Sequence, residues 1–524
     1  MSGAAGKEAL LRVWEGDKGL TIDKDSTINI NGEAVISADK ASVAGTINLD
    51  GTLAVRDSSN DTDAKGNLTL EDGAKVVSNV KSEDDFGKIT GNINVAENGT
   101  VTLDTHLANG MTEFSGKVFA DGIKLNDGAV IEAGNALWNG NIDEEGVVNY
   151  TKKNSSEVAA ATGASATQAE ALLAVTGSAD TGHAGFDQAA AIINDMAQSV
   201  GGVKTALDEI EVMGADTAPV VRATQTNITN QTFNAVSSQL SGGAVASASE
   251  GAASGDVWNG VKTWVRTLFN HSKLDGTSKT KGFDSDTYGI AFGVDKQIDA
   301  KTKVGIGYAY SQTDIDSHRR DIDVDTHTAI LYGEYKPSNW YVNGIATYNW
   351  SEYDESKSVA NVNADAKYDV DTIGLQAMAG YEFDINGYML TPEAGLRYVR
   401  IDQDGYTDKL GTRIGSDTSD IVTAVAGVKA SKDFALDNGM NIRPEARLAM
   451  SYDLTDDDNN VAVTLAGGQG YVVDGEDFGR LGIETGLGVV ADVNDNWELS
   501  AGYEGHYRDD YTDHSGVLSV KYKF

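Results

Sequence analysis

The sequence lacks several residue types that many protein classes require. It has no cysteine among 524 residues and only 4 prolines. Without thiols there can be no disulfide, no thiolate metal site and no cysteine nucleophile. No apolar run reaches about 18 residues, so no transmembrane helix is predicted. Acidic residues outnumber basic ones, 79 to 41, and the net charge of −38 argues against a nucleic-acid partner.

Sequence motifs of the common enzyme classes are also missing. There is no Gly-Lys-Ser/Thr phosphate-binding loop, no His-Glu-x-x-His zinc motif and no Gly-x-Ser-x-Gly nucleophile turn. The seven histidines show no spacing typical of metal ligands, and each is most simply a surface or loop residue. We therefore predict no catalytic residue, no metal site and no cofactor, and we do not expect an enzyme.

What the chain does contain is a turn-rich pattern typical of short strands, which predicts an all-β protein with a short helical linker. Its 59 glycines occur with many Asp and Asn residues, and such residues form the turns between strands. Residues 1–154 carry a loose repeat in which a short apolar alternation precedes Asp-Gly or Asn-Gly. Successive repeats begin 19, 21, 25 and 30 residues apart, at Ile28, Ile47, Leu68, Ile93 and Ile123.

This repeat favours a parallel β-solenoid with insertions that grow in its loops. Each coil of a solenoid buries its alternate apolar residues against the next coil. The alternative is an antiparallel domain, because Asp-Gly also marks β-hairpins.

Residues 155–215 become alanine-rich and show the 3.6-residue period of helices. The period is present in residues 189–196 and again in residues 203–213, and Gly201-Gly202 separates the two. This pattern predicts a short helical hairpin that serves as a linker after the solenoid.

A further helix is predicted within residues 216–254. Thr217 is a candidate N-cap, and Gly242-Gly243 would end the helix after Leu240. The 25 residues from Asp216 to Leu240 would extend about 37 Å. This length would cross a hydrocarbon core of about 30 Å.

From Ala223 onward that helix is polar but uncharged. No charged residue occurs in the 27 positions from Ala223 to Ser249. Such a segment is too polar for lipid, but it suits the polar lumen of a β-barrel. The alternative is a linker helix on the surface. The side chains predicted to face the lumen are those of Asn227, Asn230, Gln231, Asn234 and Gln239.

Residues 255–524 contain twelve segments that alternate apolar with polar or small residues. In one of them Tyr288, Ile290, Phe292 and Val294 fall on a single face, which we predict to face lipid. The pattern predicts a 12-stranded antiparallel transmembrane barrel. Its short turns are expected at 299–300, 336–338 and 385–387, and its long connections at 354–365, 403–417 and 456–477.

Charged residues of both signs occupy the opposite face of several predicted strands. Buried charges are costly alone, but they can pair across a lumen. A catalytic carboxylate pair is the less favoured interpretation. The predicted lumen charges are Glu393, Arg397, Arg443, Glu445, Arg447, Arg480, Glu484 and Glu498.

The C-terminus places Leu518, Val520, Tyr522 and the terminal Phe524 on one face. This ending resembles the signature by which outer-membrane proteins reach the barrel-assembly machinery. Together with the polar helix and the twelve segments, it makes residues 217–524 resemble the β-domain of bacterial autotransporters, which perform type V secretion. The repeats extend the likeness, because autotransporter passengers are mostly right-handed parallel β-helices.

The resemblance implies that the barrel exports its own N-terminal passenger to the cell surface and anchors it in the outer membrane. Implied partners are outer-membrane lipid, the assembly machinery, periplasmic chaperones and a possible host or cell-surface ligand of the passenger. Any secretory signal is expected upstream of Met1.

One family feature is missing from the predicted pore helix. Some autotransporters cut the passenger at a paired Asn within this helix, but here Asn227, Asn230 and Asn234 stand three or four residues apart. We therefore expect the passenger to stay attached. Two other functions remain open, namely a stand-alone porin-like pore and an adhesin whose solenoid is the binding face.

Overall fold

The computed structural model describes residues 9–12, 19–38, 40–57, 64–143, 145–199, 201–214, 217–240, 260–276, 282–437, 440–455, 460–473 and 479–524. The chain forms two compact units, which are described separately. The N-terminal unit comprises residues 1–210 with 465–471, and the barrel unit comprises residues 211–464 with 472–524.

Most strands of the N-terminal unit are parallel and form two sheets, and β11, β15 and β14 form a third. One parallel sheet has the order β1-β3-β5-β7-β10-β13, with β8 beside β5, and the other has the order β2-β4-β6-β9-β12. The chain alternates between the two sheets, as the coils of a solenoid do. The strands are Ala9–Arg12 (β1), Leu20–Ile22 (β2), Thr27–Ser37 (β3), Ala41–Val43 (β4), Thr46–Arg56 (β5), Asn67–Leu70 (β6), Lys75–Val80 (β7), Lys88–Thr90 (β8), Asn92–Val95 (β9), Thr100–Leu107 (β10), Glu113–Lys117 (β11), Ile123–Leu125 (β12), Val130–Ala133 (β13), Trp138–Ile142 (β14) and Val147–Lys152 (β15).

The register of these strands confirms the repeat and rejects the antiparallel alternative. Ile28 stacks on Ile47 in parallel register. In the same pair Gly32 stacks on Gly51, so the Asn-Gly and Asp-Gly dipeptides lie within stacked strands and form no hairpin. A Cβ on Gly51 would collide with the backbone of Gly32, which explains why this close approach of two coils needs glycine.

The structure adds one detail to the predicted solenoid and corrects another. The five repeats do not form one column, because Leu68, Ile93 and Ile123 stack in the second sheet while Ile28 and Ile47 stack in the first. The repeat also ends earlier than residue 154, since β11, β14 and β15 pair antiparallel. The handedness of the coil stays a prediction.

The alanine-rich region forms four helices rather than a hairpin of two. The two predicted helices are present as α3 and α4, but α1 and α2 were missed. Each missed helix begins with a capping box, formed by Asn154 with Glu157 in α1 and by Ser165 with Gln168 in α2. The helices are Ser155–Thr162 (α1), Ala166–Thr176 (α2), Ala184–Gln198 (α3), Val203–Gly214 (α4) and Thr217–Ser237 (α5). None of the helices in the described residues combines the length and the apolarity needed to span a membrane.

Within the described residues of the barrel unit, twelve long antiparallel strands close on themselves. The C-terminal strand β34 pairs with β16, and β19 pairs with β20 to complete the ring. The strands are Val261–Leu274 (β16), Phe283–Gln297 (β17), Thr302–Ser317 (β18), Arg320–Tyr335 (β19), Trp340–Val359 (β20), Val362–Asn363 (β21), Ala366–Tyr381 (β22), Phe383–Ile385 (β23), Tyr388–Gln403 (β24), Tyr406–Thr407 (β25), Arg413–Ile414 (β26), Asp417–Ser431 (β27), Phe434–Ala435 (β28), Asn441–Asp453 (β29), Val461–Thr464 (β30), Gly470–Val473 (β31), Leu481–Asp492 (β32), Trp497–Arg508 (β33) and Tyr511–Lys523 (β34).

The predicted faces of the strands are confirmed. Tyr288, Ile290, Phe292 and Val294 all lie exposed on the outer face of β17. Between them, the small residues Gly289, Ala291 and Gly293 and the acidic Asp295 point inward. An exposed apolar belt around a closed barrel is the arrangement that lipid requires.

The lengths of the connections are confirmed at one end of the barrel and only in part at the other. The turns near residues 299–300, 336–338 and 385–387 are short, as predicted. The predicted loop 354–365 is instead mostly strand, because β20 continues to Val359 and turns through Ala360 and Asn361, both with positive φ. The connection at 403–417 contains β25 and β26, and the connection at 456–477 contains β30, which pairs with β26.

The barrel lumen and its helix

Helix α5 lies inside the barrel, where its side chains bond to the inward faces of strands on several sides. Its 21 residues correspond to about 31 Å at 1.5 Å per residue. The predicted length of 25 residues was too long at its C-terminal end, where Ser238 to Leu240 form a turn. The predicted stop at Gly242-Gly243 and the rest of the segment up to residue 254 lie outside the described residues.

The asparagines of α5 face carboxylates of the barrel wall. Asn227 Nδ2 donates to Asp513 Oδ2 at 2.9 Å and to the Tyr511 hydroxyl at 2.9 Å. Two turns further along the helix, Asn234 Nδ2 donates to Glu504 Oε2 at 3.0 Å. These contacts explain how the part of the helix after Arg222, which carries no charge, is held by a charged wall, since amide donors satisfy the carboxylates.

The other predicted lumen residues of the helix segment also lie inside the barrel. Gln231 is buried and donates to the side chain of Asn227. Asn230 is half-buried and lines a cavity of about 40 Å³ beside the helix. Gln239 is buried in the turn that follows the helix, and its backbone carbonyl oxygen accepts a hydrogen bond from Lys303 Nζ at 3.0 Å.

A second set of hydrogen bonds joins α5 to strand β20. Gln225 Nε2 donates to Ser351 Oγ and to the Tyr353 hydroxyl, both at 2.9 Å. Asn349 Nδ2 donates to Thr229 Oγ1 at 3.0 Å. The helix is therefore fixed by polar contacts along its length, which supports the lumen interpretation over a surface linker.

One part of the lumen is apolar, which was not predicted from the sequence. Phe233, Val236 and Leu240 of the helix segment are fully buried against the barrel wall. The same cluster includes inward-facing aromatic and aliphatic side chains of the first strands. They are Trp264, Leu268, Ala291, Ala309, Ile330, Tyr332 and Ile345. The inner wall thus has an apolar part, which packs against the C-terminal half of the helix segment, and a polar part.

The predicted lumen charges form a connected ion-pair network on the polar part. Arg397 makes a bidentate pair with Glu484, at 2.6 and 3.2 Å. Arg447 bridges Glu484 at 2.8 Å and Glu393 at 2.6 Å. Each of these four side chains is almost completely buried. Because each carboxylate meets at least one guanidinium, their charges are balanced, and the arrangement is typical of a structural network rather than of a catalytic pair.

The remaining predicted charges lie outside that network. Arg443 Nε pairs with Glu445 Oε1 at 2.8 Å. Glu498 pairs with Lys521 at 3.1 Å, at the end of the barrel that has the short turns. Arg480 precedes β32 and is half-buried at the opposite end.

Sequence reasoning missed several residues of the lumen. Arg266 Nη2 pairs with Glu504 Oε1 at 2.7 Å, and Asn270 Nδ2 donates to Asp513 Oδ1 at 2.8 Å. These residues have the inward parity of their strands, so the alternation itself was the signal that could have found them. The predicted assembly residues Leu518, Val520 and Phe524 lie exposed on the outer face of the barrel, and Tyr522 packs between Trp497 and Phe524.

The direction of the helix follows from its two ends. Val212 and Gly214, which precede the helix, contact residues of the long connections and of the neighbouring hairpin. After the helix, Gln239 contacts Lys303 beside the short turn at residues 299–300. The chain therefore passes along the lumen from the end with long connections to the end with short turns, where β16 begins.

Residues 263–504 match the family model of the autotransporter beta-domain. The barrel is an autotransporter β-domain. It is accordingly an outer-membrane translocator of the kind that exports a passenger. The chain is 24% identical over 271 residues to a part of the extracellular serine protease of Serratia marcescens. That match covers 50% of this chain and 26% of the Serratia protein.

Outer membrane protein B of Rickettsia typhi is 23% identical over 281 residues, covering 50% of this chain and 17% of the Rickettsia protein. Among solved structures, the translocator domain of the autotransporter NalP from Neisseria meningitidis is similar, with 19% identity and a TM-score of 0.46. The similarity covers 59% of this chain and 98% of the NalP domain. The chain thus spans about a quarter or less of the length of these curated relatives.

Proposed function

We propose that the autotransporter β-domain moves the preceding part of the chain to the cell surface and then keeps it attached there through α5. One observation carries this proposal. The helix inside the closed barrel connects a chain that leaves at the long-connection end to strand β16 at the short-turn end. In outer-membrane barrels, long loops face the exterior and short turns face the periplasm.

The contacts of the helix support the attached state. Asn227 and Asn234 are engaged with Asp513 and Glu504, and the helix has no adjacent asparagine pair of the kind at which some autotransporters cut the passenger. The proposal therefore includes an uncut chain and a surface-exposed β-solenoid, which acts by binding rather than by catalysis. A host or cell-surface ligand of the solenoid would make the protein an adhesin.

Further parts of the proposal concern how the protein reaches the membrane. The outward residues Leu518, Val520, Tyr522 and Phe524 would present the C-terminal strand to the barrel-assembly machinery, after periplasmic chaperones have kept the chain unfolded. A secretory signal would precede Met1. The exposed apolar belt would then contact outer-membrane lipid.

Protease treatment of intact Gram-negative cells tests the proposal. The chain is expressed behind a secretory signal with an epitope tag at its N-terminus. We expect the tag to be lost while a membrane-embedded C-terminal fragment survives. A tag that stays protected until the outer membrane is broken would contradict export and would indicate a periplasmic extension on a plain pore.

The open porin-like pore is disfavoured by the filled lumen. Among the described residues, two cavities beside the polar side of α5 measure about 40 Å³ and about 30 Å³, which is room for no more than a few water molecules. Planar-bilayer recordings of the intact chain should accordingly show a small conductance.

A further inference from the structure

We propose that Arg320 forms a binding site for backbone carbonyl groups at the outer mouth of the barrel, where it holds the chain that emerges from the lumen. Arg320 is the first residue of β19, directly after the tight β18–β19 turn of His318 and Arg319. Its guanidinium Nη2 donates to the carbonyl oxygen of Val212 at 2.9 Å. The export function alone does not account for this contact.

The carbonyl that Arg320 contacts is one that the helix itself leaves available. Val212 lies in the last turn of α4, which ends at Gly214. The last four carbonyl groups of a helix have no partner within it, and they carry the negative end of the helix dipole. A guanidinium at this place both satisfies a carbonyl and meets a favourable field.

A buried carboxylate holds the guanidinium in position. Arg320 Nε pairs with Glu355 Oε1 at 2.7 Å, and the two side chains are 2% and 0% exposed. Lys357 Nζ lies 3.4 Å from Glu355 and 3.8 Å from Asp408. Glu355 therefore fixes one edge of the planar guanidinium group of Arg320 through Nε. Another nitrogen of the group, Nη2, is directed at the emerging chain.

The long connections extend the same site on its outer side. Asp408 accepts hydrogen bonds from the backbone N–H groups of Leu410 and Thr412, both at 2.9 Å. Lys357 pairs with both Asp408 and Glu355, so it joins this loop to Glu355 and Arg320. Tyr406 of the same connection stacks on Tyr368, with ring centres 4.3 Å apart. The site is thus part of a buried cluster of charged and aromatic side chains rather than an isolated surface contact.

A contact to a backbone carbonyl does not depend on the side chains of the bound segment. Arg320 can therefore bind any residue that occupies the mouth with a free carbonyl, which suits a channel through which many different residues must pass. In the finished protein the bound residue is Val212, so the site fixes the point at which the chain leaves the barrel. The placement of this mouth at the cell surface rests on the proposed function, whereas the contact itself does not.

The test uses the full chain purified in detergent, so its outcome is independent of export. A glutamyl endopeptidase is used to cut after Glu211, next to the bound carbonyl. In Arg320→Met we expect this cut to be roughly tenfold faster than in the unchanged protein, because a hydrogen bond from a charged donor is lost. His318→Ala changes the same hairpin without touching Val212, and it should be cut at the unchanged rate.

Arg320→Lys provides a second variant that keeps a positive charge beside Glu355. A single ammonium does not reproduce the guanidinium fork, so we again expect a faster cut. Retained heat-modifiable migration on gels identifies the folded barrel, and if Arg320→Met does not fold, Arg320→Lys decides alone. A cut at the unchanged rate in a folded Arg320 variant would overturn the proposal. Failure of surface display with a faster cut would contradict the proposed function but not this site.

Discussion

The N-terminal unit and the autotransporter β-domain use the same alternation of apolar and polar residues with opposite orientation. In the solenoid the apolar residues point inward, so that Leu49 is 0% exposed. In the barrel they point outward, so that Leu331 is 60% exposed. A period of two therefore identifies strands in both units, but it does not say which face is the interior. The surroundings decide that, because lipid covers the apolar face of a barrel and the next coil covers that of a solenoid.

The interiors consequently differ in what stabilises them. Stacked aliphatic residues fill the solenoid, whereas ion pairs and hydrogen bonds to α5 fill the polar part of the barrel. Truncation of an apolar side chain should therefore be severe in the solenoid, where such side chains point inward. The same truncation should be mild in the barrel, where they point outward.

The largest effect is expected from Glu484→Ala in the barrel. The change leaves the guanidinium groups of Arg397 and Arg447 without their shared carboxylate. Removing one partner of a buried pair costs about 3–5 kcal/mol. The midpoint of heat-induced loss of the folded gel form measures this cost. Glu352→Ala, on the outer face of β20, is the matched control and should leave the midpoint unchanged.

A pair of identical substitutions tests the opposite orientation directly. Leu49→Ala should destabilise the solenoid by about 2–5 kcal/mol, because it opens a cavity in a packed core. Leu331→Ala should cost the barrel much less, since lipid fills the space that the side chain leaves. Denaturant unfolding of the full chain, followed separately for each unit, checks both. Equal costs at the two positions would refute the assigned orientation of the barrel strands.

Much of this arrangement could be predicted from the sequence, and the features that were missed have physical causes. Lumen charges such as Arg397 and Glu484 were found because charge is conspicuous on one face of an alternating strand. Trp264 and Ile330 were not recognised as lumen residues, because an apolar inward residue breaks the alternation that defines the faces. The apolar part of the wall packs against α5. This contact could not be predicted from the alternation within β16 or β19, because α5 is a separate element of the chain.

The helices show the same limit in another form. Helix α5 was predicted, apart from its C-terminal end, because it is long and has no charge after Arg222, whereas α1 and α2 are short and rich in alanine, so their period is weak. Their capping residues Asn154 and Ser165 were the available signal. Several of the predicted repeat starts do stack, as Ile28 on Ile47 and Leu68 on Ile93, but the two-sheet arrangement depends on where the corners fall, which the loose spacing does not fix.

A smaller effect is expected from overpacking the helix contact. A Cβ at Gly374 would collide with Thr347 Oγ1 of β20, and it would lie 2.6 Å from Thr229 Cγ2 and 3.0 Å from Phe233 Cζ of α5. Gly374→Val should therefore displace the helix at a cost of about 1–3 kcal/mol and raise the conductance in planar bilayers. Gly516→Val is the matched control, because a Cβ there meets nothing within 4 Å. An unchanged conductance in Gly374→Val would contradict the packing of α5 against β22.

The smallest effect concerns the buried ion pair of the N-terminal unit. His106 Nδ1 lies 3.0 Å from Asp195 of α3, and its Nε2 lies 3.6 Å from Asp104. Burial alone would lower the pKa of His106, but hydrogen bonding and the charges of both carboxylates outweigh it and raise the pKa to about 9.

Since the raised pKa belongs to the folded state, the stabilisation is complete below about pH 6.5 and is lost as the pH rises to about 9. The loss should be on the order of 1 kcal/mol, because solvent screens the exposed Asp195. Denaturant unfolding of the N-terminal unit at both ends of this range measures it. Asp195→Asn should weaken the dependence, and an equally steep pH profile in that variant would exclude Asp195 as a cause.

The most direct test of chain anchoring through the lumen is whether α5 occupies the barrel in living cells. The chain has no cysteine, so Thr229→Cys and Asn349→Cys together introduce one reactive pair at a contact that now measures 3.0 Å. We expect a short bis-maleimide crosslinker to join them in intact cells and to change the migration of the unfolded protein on gels, while Thr229→Cys paired with Leu331→Cys on the outer face gives no such change. A folded barrel in which the first pair does not crosslink would contradict an emerging chain anchored through the lumen.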